Sequence, residues 1–162
     1  MNELEFLRKA ARDGQLGLVN PSENICSSYM QKSENSLKSA DLLLSNGLYE
    51  NAVIEAYYAV YNSITALLRK AGVKCENHAV AVSLLSTLFG ESRLEKAAAE
   101  VRKSRVDFQY YVSHSATKGM AAEVVSKSES LCSSIGLLAR GLSSERIDAL
   151  RGKLREMLGE GP

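Results

Sequence analysis

Proline is nearly absent from this 162-residue chain: there are two, Pro21 and Pro162, so some 140 consecutive residues contain none. Proline punctuates turns and sheet edges and is excluded from helix interiors. Tryptophan is missing, phenylalanine occurs three times, and no apolar run approaches the roughly 18 residues of a membrane span. The three cysteines, Cys26, Cys75 and Cys132, are odd in number and lack Cys-x-x-Cys spacing, which excludes a disulfide framework or a zinc site read from spacing. Net charge is also missing: 20 Lys and Arg against 19 Asp and Glu leave +1. Bulk attraction to nucleic acid is therefore excluded, and any such binding has to be local. No leader pattern opens the chain, so a reduced, cytoplasmic protein is the expectation.

What remains is 45% apolar residues, enough for a core without metal or disulfide staples. A proline-poor chain rich in Ala, Leu, Ser, Glu and Lys points to an all-α fold, an up-and-down antiparallel helical bundle. A short helix is expected within residues 1–19, with Leu4, Leu7 and Ala11 on one side, ending near Gly14 and Gly17. Asn20-Pro21-Ser22-Glu23 reads as a helix start, with Asn20 capping and Pro21 in the first helical position. The helix beyond it carries Ile25, Tyr29, Ser33, Leu37, Ala40 and Leu44, and stops at Asn46-Gly47.

The next helix, from about Leu48 to Ala71, has two stripes. Val53, Tyr57, Val60, Ile64, Leu67 and Ala71 are large; Ala52, Ala56, Ala59, Ser63 and Ala66 are small. Two buried faces side by side mark the central member of a bundle. Asn77 caps a short apolar helix, with His78 read as a cap-region or exposed residue, and residues 92–104 favour helix. Arg105–Lys118 breaks the pattern with aromatic and β-branched residues and is expected to be an irregular connection. Helices from about Gly119 to Arg140 and from Ser143 to Leu158 complete the chain.

Chemistry concentrates at that break. Arg102, Lys103 and Arg105, with Asp107, are interleaved with Phe108, Tyr110 and Tyr111 ahead of His114. Arginine grips phosphate through paired hydrogen bonds, histidine moves protons near neutrality, and aromatic rings stack on bases. Tyr58 points off the large stripe and joins this group as a binding residue, beside Tyr57 and Tyr61, which read as core. Six basic and four acidic residues over positions 91–118 give 6 − 4 = +2, a mild patch. Neither metal ligation nor a cofactor is expected: two histidines far apart make no metal set, and the glycines form no phosphate loop.

The segment Tyr49–Gly72, with Ala56-Tyr57-Tyr58-Ala59-Val60-Tyr61 followed by Leu67-Leu68, resembles the HEPN family, named for higher eukaryotes and prokaryotes nucleotide-binding. The helix ending at Asn46-Gly47 and the stretch His78-Ala79-Val80-Ala81-Val82 fit the same pattern over roughly residues 22–140. The resemblance implies a helical bundle, often a homodimer, and in many members a ribonuclease or toxin paired with a nucleotidyltransferase antitoxin. It divides the chain into an N-terminal extension (1–19), a HEPN-like bundle (20–141) and a C-terminal amphipathic helix (142–162). The nuclease signature is Arg-x4-6-His, whereas eight residues separate Arg105 from His114 and eleven separate Arg102 from it. The expectation is a module that binds nucleotide, RNA or a protein partner without robust catalysis. The alternatives are a metal-independent ribonuclease using Arg105 and His114, and an adaptor acting through its C-terminal helix.

Overall fold

The computed structural model describes residues 1–110 and 115–159. In chain order the elements are α1 (Glu3–Arg12), β1 (Leu16–Leu18), α2 (Glu23–Ser45), α3 (Tyr49–Lys70), β2 (Val73–Cys75), α4 (His78–Thr87), α5 (Ser92–Tyr110), α6 (Lys118–Arg140) and α7 (Ser144–Leu158). The all-α expectation holds. α3 is the central helix: it packs against α2, α4, α5, α6 and β2.

Both stripes of α3 behave as their spacing predicts. Val53, Tyr57, Val60, Ile64 and Leu67 are fully buried, and so are Ala52, Ala56, Ala59, Ser63 and Ala66. The small stripe lets neighbouring backbones approach closely enough for the Ser33 hydroxyl of α2 to donate to the Ala59 carbonyl at 2.8 Å. The Asn46-Gly47 turn reverses the chain between α2 and α3, with Gly47 at φ +76°.

Three local expectations need correction. The cap of α2 is Ser22, whose hydroxyl accepts from the Ile25 amide at 3.2 Å, and not Asn20. Residues 16–22 are tied down by other partners: β1 pairs antiparallel with β2 in the register Leu16 to Cys75, and the Val19 and Ser22 amides donate to the Gly72 and Arg69 carbonyls. These ties move the helix start past Pro21. The two strands are themselves unforeseen, being only three residues each and too short for an alternating pattern to register.

The third correction concerns Arg105. α5 runs unbroken through Arg105 as far as Tyr110, so the first part of the expected irregular connection is helical. Ala98, Val101 and Arg105 are its buried residues at helical spacing. The hydrophobic periodicity breaks in the sequence because an arginine occupies an inward position. Lys103 and Asp107, one turn apart, reinforce the helix with an ion pair at 2.9 Å. Thr117 then caps α6 through the Met120 amide.

The ends of the chain share the main core. Leu7 and Ala10 of α1 and Leu150 and Leu154 of α7 are buried in the same cluster as Tyr57, Ile64 and Leu84. Arg8 donates to the Met157 carbonyl at 2.9 Å, and Arg151 donates to the carbonyls of Val19 and Gly72 at 2.6 and 2.8 Å. No helix is long and apolar enough among the described residues to cross a membrane.

Candidate functional site

The first residue of α4 and the last two turns of α5 meet the middle of α3, and this junction gathers four tyrosines and a histidine. Tyr57 is fully buried, and its hydroxyl lies 2.6 Å from His78 Nδ1. The His78 ring stacks on Tyr61 with centroids 3.8 Å apart and planes 6° from parallel. Tyr58 meets it edge-on at 6.3 Å. Asn77 fixes the backbone under His78 by accepting from the Ala79 and Val80 amides. The imidazole is thus held on two sides and half-buried.

Arg105 approaches the same tyrosines from α5. Its guanidinium carbon sits 4.7 Å from the Tyr57 ring centroid, 5.8 Å from that of Tyr58 and 5.9 Å from that of Tyr110. The residue is 7% exposed. Nη1 donates to Gln109 Oε1 at 2.9 Å and reaches the Tyr110 hydroxyl at 3.5 Å, while Nε has no hydrogen-bond partner among the described residues. No carboxylate pairs with Arg105 among those residues either. A buried cation is ordinarily paired. Here aromatic faces stand in for the missing counter-charge, a weaker compensation. Arg102, one turn earlier and half-buried, likewise has an unpartnered Nε.

Protonation follows from this geometry. Burial pushes the Tyr57 phenol up, opposed by Arg105 and Arg102; burial also pushes Tyr61 up to about 12. His78 is lowered from its ordinary 6.5, first by burial and then by Arg105 and Arg102. Between its folded and unfolded values, the unfolded chain binds the His78 proton more readily. The His78 contribution to stability is therefore greatest above 6.5 and falls as pH drops through that value toward the folded one. Urea midpoints taken from about pH 8 to about pH 5 should fall more steeply for the native chain than for His78→Gln. Parallel profiles would mean that the imidazole is not destabilised in the fold.

The residues singled out from sequence separate into three groups. Arg102, Arg105, Tyr58 and Tyr110 come together around Tyr57. Lys103 is exposed, and it and Asp107 neutralise each other. Tyr111 and His114 lie outside the described residues. Sequence reading missed His78, Tyr57 and Gln109 as members of the cluster. The available signal was the histidine directly after a strong cap, opposite a helix with Tyr at positions 57, 58 and 61. Cys75 offers no thiolate: burial pushes it up to about 11. Clefts between α5 and α6, lined by Ser104, Phe108 and Met120, and between α2 and α6, lined by Met30 and Gly136, lie away from this cluster. Among the described residues no three His, Cys, Asp or Glu side chains converge as a metal set would.

The chain is thus an antiparallel helical bundle built on a central Tyr-Tyr helix, with a cationic and aromatic junction at its side. The HEPN domain family model matches residues 26–138, well over half of the chain, and the chain belongs to that family. It is also 36% identical over 56 residues to a protein of Methanocaldococcus jannaschii named "Putative toxin MJ0605", a match covering 35% of this chain and 42% of that relative. The chain thus spans less than half the length of this relative.

Proposed function

We propose that this HEPN module binds a phosphate-bearing ligand, RNA or nucleotide, at the junction of α3, α4 and α5, and does so without robust catalysis. Arg105 carries this reading: a guanidinium 7% exposed, without a carboxylate partner among the described residues, with its Nε unbonded. Arg102 supplies a second cation one turn away. Tyr58 is half-buried and Tyr110 is 62% exposed, so both offer ring surface to a base. The small net charge fits a local site and not a basic surface.

Binding of a labelled oligouridylate and of ADP, followed by fluorescence anisotropy at low salt, tests the reading. Arg102→Ala and Tyr110→Ala should each weaken binding by about 5- to 30-fold, the scale of one charge-assisted contact or one stacked base. Tyr110 is exposed and Arg102 half-buried, and neither belongs to the main core, so the fold should survive their loss. Unchanged affinity in both variants would remove the junction as the binding site.

The name of the archaeal relative supports a second reading, a toxin acting as a metal-independent ribonuclease with an antitoxin partner. Arg105 would stabilise the charge developing on phosphorus, and His114 or His78 would move the proton. Cleavage by the pure protein, lost in the corresponding histidine variant, would favour it. Intact RNA across a panel of substrates would leave the binding module.

A further inference from the structure

His78 and Arg105 share Tyr57 as a neighbour, Arg102 lies one turn before Arg105 on α5, and neither arginine has a carboxylate partner among the described residues. The His78 ring is gripped so that it cannot turn away. Tyr61 fixes the plane of the ring, and Tyr57 fixes Nδ1. A neutral imidazole accepts the Tyr57 proton at Nδ1 and carries its own proton on Nε2. A charged imidazolium donates from Nδ1 to the same phenol oxygen. The contact at 2.6 Å therefore satisfies Nδ1 in either state, with only the direction of the hydrogen bond reversed.

We propose that His78 is the third member of the anion site formed by Arg102 and Arg105, and that it takes up a proton from solvent when a phosphodiester binds there. The inference rests on the junction being the phosphate site. With the site free, the His78 pKa is lowered first by burial and then by the two guanidiniums, which disfavour a third positive charge. A phosphodiester seated against them carries negative charge throughout the neutral range, offsets that repulsion and favours the imidazolium.

Among the described residues, the other groups around His78 do not supply this proton or its counter-charge. Tyr57 and Tyr61 of α3 are both held above their ordinary range, and Tyr58 meets the ring by its edge. Cys75 of β2 is buried, and Glu76 is paired with Lys74 at 2.7 Å. Lys9 and Asp13 of α1 line the cleft beside Asn77 on the side of β1. Lys103 and Asp107 of α5 neutralise each other.

The test uses the intact protein and a short oligouridylate without a terminal phosphate, since neither its diesters nor its bases titrate between about pH 5 and 8. The chain has two histidines, so the imidazole resonances can be assigned by the loss of one in His78→Gln. Titrated by NMR, His78 should change protonation below 6.5 in the free protein and at a higher pH when saturated with oligouridylate. Affinity should rise as pH falls through the bound value, with a slope approaching the limit of about tenfold per pH unit for one proton, and level off below the free value. In His78→Gln this slope should vanish.

Oligouridylate that binds while leaving the His78 titration unmoved would overturn the proposal and leave the binding module standing. Absence of binding at any pH would overturn both. ADP, run in parallel, separates a free nucleotide from a strand as the source of the phosphate. Its terminal phosphate titrates, so only the oligouridylate slope decides.

Discussion

Removing α7 should unfold the protein. Leu150 and Leu154 are 1% and 0% exposed, one turn apart, and belong to the main core. Each buried leucine cut to alanine costs about 2–5 kcal/mol, and a domain of this size has in total about 5–15 kcal/mol. The double variant Leu150→Ala/Leu154→Ala alone therefore approaches the whole reserve, less any coupling between neighbours. Loss of Arg151 would also strip the Val19 and Gly72 carbonyls of a donor. A chain lacking residues 143–162 should show reduced helicity by circular dichroism and no cooperative urea transition. An unchanged urea midpoint would mean that α7 is an appendage, free to hold a partner with its apolar seam. That seam faces the chain's own core, so an adaptor role would have to use the outer face of the helix.

The second large effect is expected at Gly72. Its φ of +73° is left-handed, and a Cβ placed there would lie 2.7 Å from the Val19 carbonyl oxygen and 2.9 Å from Pro21 Cδ, while colliding with the Arg151 guanidinium. The guanidinium can move away; the carbonyl and the proline ring cannot do so without separating β1 from β2. Gly72→Ala should cost about 3 kcal/mol, combining left-handed strain of about 1 kcal/mol with overpacking of 1–3 kcal/mol. Gly47 provides the control. It shares the conformation at φ +76°, but nothing lies within 4 Å of its Cβ position, so Gly47→Ala should cost about 1 kcal/mol. Urea unfolding of both variants checks the difference. Equal losses would show that only backbone strain operates at Gly72.

The legible and illegible parts of this chain differ for a physical reason. The stripes of α3 could be read because every position on its two inward faces carries the residue type that burial prefers. The last turns of α5 are illegible because Arg105, a charged residue, fills an inward position, and hydrophobic periodicity cannot register a cation held by aromatic faces. The strands were invisible because their three-residue length leaves no period to detect. Arg102, Arg105, Tyr58 and Tyr110 were picked out as a group by their chemistry. His78 was not, because what distinguishes it is the company of Tyr57, Tyr61 and the two arginines, which only tertiary structure assembles.

The bond from Arg8 to the Met157 carbonyl joins positions 149 residues apart. It closes a loop that contains almost every other helix described. Closing so long a loop costs more chain entropy than any contact between successive helices, such as the α2–α3 hairpin, although that cost grows only logarithmically with length. Packing between α2 and α3 joins neighbours in sequence, whereas the α1–α7 seam joins the first helix to the last. The hairpin holds itself together through neighbours in sequence, whereas the seam depends on everything between its halves being already in place.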